Sequence, residues 1–125
     1  MKSINLNKDL NEIYTLTEFI EKIIQKKDFQ IDLMLEEVLV NIVNYSKCEY
    51  ITVNAEFENS ILTVEFIDNG TVFNPLLKED PKFPDCIEDA EIGGLGIYLT
   101  KKLADELEYN HIIDENHLKI IKKVE

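Results

Sequence analysis

Gly93-Gly94-Leu95-Gly96-Ile97-Tyr98-Leu99 gathers three of the chain's four glycines into one tetrapeptide ahead of an apolar run with helical spacing. Glycines at that place permit unusual dihedrals and let backbone N–H groups approach a ligand closely. The start of a helix adds free N–H donors and partial positive charge, which together suit a phosphate. A plain hinge would use the same residues. The run is neither G-x-x-x-x-G-K-[ST] nor G-x-G-x-x-G, so the P-loop and dinucleotide fingerprints are excluded. The helix it opens is predicted from near Leu95 to about Glu106.

Working upstream, residues 68 to 92 have no periodicity. Pro75, Pro81 and Pro84 punctuate them, and Glu79, Asp80, Asp85, Glu88, Asp89 and Glu91 make them acidic. A segment this long within a compact domain is either functional or disordered. Before it, Tyr50 to Glu58 alternates, with Ile51, Val53, Ala55 and Phe57 on one side. Asn59-Ser60 marks a turn and Ile61 to Ile67 resumes as a strand, so the pair is predicted to be a β-hairpin.

Further upstream, two helices are predicted. Leu10, Ile13, Leu16, Ile20, Ile23 and Ile24 give helical spacing over about 8 to 27, with Asn7 as N-cap and Lys26 and Lys27 at the negative end. Ile31, Met34, Leu35, Val38, Leu39, Ile42 and Val43 do the same over about 30 to 47. Residues 2 to 6 alternate like a short strand. Two final strands are expected near 107–113 and 118–124, with a turn at Asp114-Glu115-Asn116. Lys119, Lys122 and Lys123 suggest a solvated or edge position for the last. The order implies one α+β domain over residues 1–125. Its architecture would be a two-layer sandwich, a mostly antiparallel mixed sheet covered on one face by three helices.

Composition bounds the function. The chain has 125 residues, 45% hydrophobic and 30% charged, as in a globular domain. Apolar runs are far shorter than a membrane span, and no signal-peptide core follows Met1, so a cytoplasmic protein is expected. Cys48 and Cys86 lack any metal-ligand spacing and read as reduced thiols. The net charge of −12 argues against nucleic acid as a partner. A polyanionic ligand must then be met locally, by backbone N–H groups, a helix N-terminus or a metal ion. His111 and His117 read as surface histidines beside the last hairpin.

Two further segments bear chemistry. Glu37 and Asn41 are i and i+4 on the second helix, and Tyr45 lies one turn on, so all three would share a face. A carboxylate there can accept a proton, and an amide oxygen can ligate a hard cation such as Mg²⁺. A partly solvated helix face has the same pattern, and Glu36 and Asn44 leave the register open. Asp68-Asn69-Gly70 ends a predicted strand. Those residues make a turn, or present a carboxylate to an exocyclic amine with glycine allowing close approach.

The order Glu37-x-x-x-Asn41, hairpin, Asp68-x-Gly70, long loop, Gly93-Gly94-Leu95-Gly96 resembles the GHKL (Bergerat-fold) ATPase/kinase superfamily, with its N-box and two glycine boxes. The stretch Phe66-Ile-Asp-Asn-Gly-Thr-Val-Phe-Asn-Pro75 resembles the D-x-G-x-x-F-[DN]-P pattern of anti-sigma factor serine/threonine kinases. The helix from Gly93 to Leu107 and the final hairpin fit as well. The likeness runs from about residue 5 to 123, with no visible room for a sensor or phosphoacceptor-histidine region.

The resemblance implies ATP/ADP and Mg²⁺ as cofactors. By it, Asp68 hydrogen-bonds the adenine amine beside Gly70, and Ile67, Phe73 and Leu99 line the base pocket. Asn41 ligates Mg²⁺. Gly93, Gly94, Leu95 and Gly96 cradle the phosphates, and residues 76–92 form a lid. Glu37 is the catalytic base toward a serine or threonine of a STAS-type anti-anti-sigma antagonist. Sequestration of a sigma factor is the family's second activity, and relatives suggest a homodimer. Two positions depart from the pattern: Tyr45 stands where many relatives carry histidine, and Ala90-Glu91-Ile92 where several carry arginine. Stabilisation of the γ-phosphate would then fall to Mg²⁺, Lys101, Lys102, Lys78 or Lys82. The alternatives are a non-catalytic, nucleotide-dependent regulatory module and a structural module without nucleotide.

Overall fold

The structure, a computed structural model, describes residues 1–71 and 94–124, and of residues 94–98 the backbone alone. Strand β1 (Lys2–Leu6) leads into α1 (Glu12–Ile24) and α2 (Phe29–Asn41), which continues as one π turn, Ile42–Ser46. The hairpin β2 (Ile51–Glu58) and β3 (Ile61–Asp68) follows, then α3 (Gly94–Leu103) and a second hairpin, β4 (Glu106–Ile112) and β5 (Glu115–Lys123). The five strands form one sheet in the order β1-β2-β3-β5-β4. Every pairing among the described residues is antiparallel, so the expected mixed sheet is purely antiparallel here.

Alternation decides which face is buried. Ile51, Val53 and Ala55 of β2, Leu62, Val64 and Phe66 of β3, and Leu118 and Ile120 of β5 point to the helices. The register places like with like: Val53 opposite Phe66, Phe66 opposite Leu118, Val64 opposite Ile120. The helices supply Leu16, Ile20 and Ile24 from α1, and Ile31, Met34, Leu35, Val38 and Leu39 from α2, to one continuous core. This is the expected two-layer α+β sandwich. No helix among the described residues is long and apolar enough to cross a membrane.

Local chemistry moved several boundaries. Asn7 is not the cap of α1. The Asp9 carboxylate accepts the Asn11 N–H at 2.8 Å, and that local bond holds a turn which delays the helix to Glu12. The helix ends on left-handed Gln25, leaving Lys26 and Lys27 beyond its last turn. Helix α2 starts on a true N-cap, Asp28, whose Oδ1 accepts from Ile31 N at 3.1 Å. The turn of the last hairpin lies at Ile113-Asp114, both with positive φ, rather than at Asp114-Glu115-Asn116. Asn116 is therefore a strand residue. Strand β5 lies inside the sheet, not at its edge; Lys119 is accommodated there because it faces the open side, across from Glu65 and Glu108.

Candidate nucleotide site

Four elements meet at the C-terminal end of β3. Asp68 is the last residue of that strand and is 4% exposed. Its Oδ1 accepts three hydrogen bonds: from Ser46 Oγ at 2.5 Å, from Gly70 N at 2.9 Å and from Asn116 Nδ2 at 3.1 Å. Among the described residues all of its hydrogen bonds fall on this one oxygen. A buried carboxylate needs such donors, because desolvation without them is costly. Asn116 comes from β5, directly opposite Asp68 in the register. Its Nδ2 also donates to Thr71 O at 2.9 Å, and its Oδ1 accepts from the Tyr109 hydroxyl of β4.

Ser46 arrives by way of the π turn. On an unbroken α-helix Tyr45 would follow Glu37 and Asn41 on one face, as the sequence spacing suggests. The i→i+5 turn widens the helix and brings Ser46 inward instead. Ser46 is 3% exposed and Tyr45 37%. Lys47 closes the turn in the left-handed conformation. The segment after β3 is stitched to it: Thr71 N donates to Ser46 O at 2.7 Å, and Asn69 Oδ1 accepts from Glu49 N at 2.8 Å.

Glu37 and Asn41 lie one turn apart near the end of α2. Asn41 is 5% exposed, and its Nδ2 is buried with no hydrogen-bond partner among the described residues. Glu37 Oε2 is likewise buried and without a partner among them. Desolvation, with the neighbouring Glu36 charge adding to it, pushes the Glu37 carboxyl up to about 7. Two orphaned polar atoms on adjacent turns of one helix are uncommon in a folded interior, and they fit a polar or ionic ligand that completes them. No cluster of three or more His, Cys, Asp or Glu side chains suited to a metal occurs among the described residues.

Gly94, Leu95 and Gly96 form the first turn of α3, where backbone N–H groups lack intrahelical acceptors. Leu99 is half-buried, and the next residue, Thr100, is fully buried. Phe73, Gly93, Lys78, Lys82, Cys86 and the expected lid lie outside the described residues. One expectation is corrected. Ile67 alternates onto the open face of β3, across from Thr52 and His117, and so points away from the face that carries Asp68. Lys101 and Lys102 stand in the last turn of α3. His111 is exposed as expected, whereas His117 is half-buried between Glu65 and Glu115, at 3.7 and 3.9 Å.

Sequence reasoning missed Ser46 and Asn116. Ser46 was hidden by the π turn, and Asn116 by a turn placed one residue too late. A cavity of about 400 Å³ lined by Lys26, Asp28, Gln30, Asp105, Lys122 and Lys123 lies at the other end of the sheet and takes no part here.

Comparison with known proteins agrees with this fold. The family described as "Histidine kinase-like ATPase domain" matches residues 9–122. No curated protein matches the chain. Among solved structures, the Acinetobacter baumannii histidine kinase AdeS is similar with a TM-score of 0.57 and 12% identity, over 99% of this chain and 69% of that one. The catalytic domain of histidine kinase ThkA is similar with a TM-score of 0.51 and 16% identity, over 99% of this chain and 97% of that one. The Erythrobacter litoralis EL346 blue-light activated histidine kinase gives 0.54 and 15%, over 92% of this chain; the chain spans only 40% of that protein's length. At such identities the likeness is one of fold.

Proposed function

The chain belongs to the histidine kinase-like ATPase domain family, and from that premise we propose that it binds ATP with Mg²⁺ and phosphorylates a serine or threonine of a partner protein. The observation that carries this reading is the pair of orphaned buried atoms, Glu37 Oε2 and Asn41 Nδ2, on the same helix whose π turn supports Asp68. Each site residue then has a role. Asp68 accepts a hydrogen bond from the adenine amine, with Gly70 and Leu99 beside the base. Asn41 holds the phosphates and their cation, and Gly94, Leu95 and Gly96 present first-turn N–H groups to them. Bound Mg²⁺ supplies charge neutralisation on the phosphate oxygens.

Glu37 acts as the base. A carboxyl titrating near 7 is half in its accepting form at neutral pH, which suits proton removal from a hydroxyl. The partner's oxygen bonds to the γ-phosphorus, the bond to the β-phosphate oxygen breaks, the hydroxyl proton passes to Glu37 and ADP leaves.

The partner is proposed from the sequence likeness of residues 66–75 and 93–107 to the anti-sigma factor kinases. It would be a STAS-type antagonist, with a sigma factor as a second protein ligand of a homodimer in the cytoplasm. A non-catalytic regulator is the second reading. Ala90-Glu91-Ile92, standing where several relatives carry arginine, favours it. The deciding experiment incubates the protein with labelled ATP and the cognate antagonist. Phosphoserine or phosphothreonine is expected with the wild type, and none with Glu37→Ala, whose ADP affinity stays within about threefold. Transfer that persists in Glu37→Ala removes Glu37 as base. Binding of ADP with no transfer by the wild type selects the regulator.

A further inference from the structure

Resting on the nucleotide reading above, we infer that Asn116 and Ser46 are positioning residues that decide which oxygen of Asp68 meets the base, and so set a preference for 6-amino over 6-oxo purines. All three donors to Asp68 converge on Oδ1, from β5, from the π turn and from the backbone of Gly70. They come from separate elements, so together they fix the plane of the carboxylate as well as its place. Oδ2 is the oxygen they leave to a ligand. A carboxylate oxygen held in this way is an acceptor only: it takes an amine N–H and repels a carbonyl oxygen.

Asn116 is itself held from two sides. Its amide oxygen accepts from Tyr109, and its nitrogen donates to Thr71 O as well as to Asp68. These bonds assign the amide orientation, with nitrogen toward Asp68. Without the amide, Asp68 loses one donor and gains freedom to rotate. The β3–β5 register, held by Leu118 opposite Phe66 and Ile120 opposite Val64, is what places Asn116 opposite Asp68.

The test measures ADP and IDP binding to the full chain by calorimetry, in the wild type, Asn116→Leu and Ser46→Ala. IDP differs in carrying a 6-oxo group. The wild type is expected to favour ADP by about tenfold or more, the worth of one well-made hydrogen bond against an unpaired buried acceptor. In the variants the ADP/IDP ratio should fall to within about threefold, mainly through weaker ADP binding. A purely structural role would weaken both nucleotides and keep the ratio. Ser46→Ala keeps the inference testable if Asn116→Leu does not fold. A ratio retained in the folded variants overturns the positioning role while leaving nucleotide binding intact. Absence of ADP binding by the wild type overturns the nucleotide reading and this inference with it.

Discussion

Gly70 packs so closely on Ser46 that a Cβ at position 70 would stand 1.9 Å from Ser46 Oγ and 2.1 Å from Ser46 O. Both distances are far inside van der Waals contact, and the second obstacle is backbone. The neighbouring bond from Thr71 N to Ser46 O locks the same two segments together. Gly70→Ala is therefore expected to destabilise the protein by about 2 to 4 kcal/mol, from overpacking and a weakened buried hydrogen bond. Urea unfolding should give a lower midpoint with an unchanged slope. An unchanged midpoint would mean that the β3 end and the π turn are not packed as described.

Glu37 gives a pH dependence with a definite sign. Its carboxyl is raised from 4.5 to about 7 by desolvation first and Glu36 second. The folded state thus favours the protonated form. That contribution to stability is complete below pH 4.5 and is lost as pH rises through 7. Glu37→Gln, which imitates the protonated form, should raise the melting temperature at pH 8 and make little difference at pH 4. Carboxyl carbon NMR should show the midpoint directly, and Glu36→Gln should move it downward. A midpoint near 4.5 in the wild type would remove the basis for Glu37 as a near-neutral base.

The first hairpin has a turn that its residues fit poorly. Asn59 and Ser60 adopt φ of 53° and 64°. Positive φ at both central positions is the demand of a type I′ turn, which favours Asn-Gly. Ser60→Gly should stabilise the protein by about 0.5 to 1 kcal/mol, because glycine meets that conformation without a Cβ penalty. A denaturation midpoint that falls instead would show that the Ser60 side chain is needed in the hairpin.

Much of this was legible in the sequence, and what was not has a physical cause. Alternation in 51–58 and 61–67 fixed both strands, since period-2 burial admits one register of faces. The apolar stripe from Ile31 to Leu39 did the same for α2. Asp68, Gly70, Glu37 and Asn41 stood out because short polar motifs interrupted those patterns. The π turn left no mark, because an i→i+5 turn and an α turn use the same residues. Asn116 was misplaced because Asp-Glu-Asn is better turn chemistry than Ile113-Asp114. The register of β5 is set instead by distant pairs, Leu118 with Phe66 and Ile120 with Val64. Phe73 and Gly93 fall outside the described residues, and their roles stand as proposed from the likeness.

The central claim is that this end of the sheet binds an adenine nucleotide through Asp68. Calorimetric titration of the wild type and Asp68→Ala with Mg-ADP tests it most directly. Saturable binding by the wild type, weakened at least about thirtyfold in Asp68→Ala, is the predicted result, since a buried charge-assisted hydrogen bond is worth about 2 kcal/mol or more. Equal affinity in a folded Asp68→Ala, or no binding by the wild type, would contradict it.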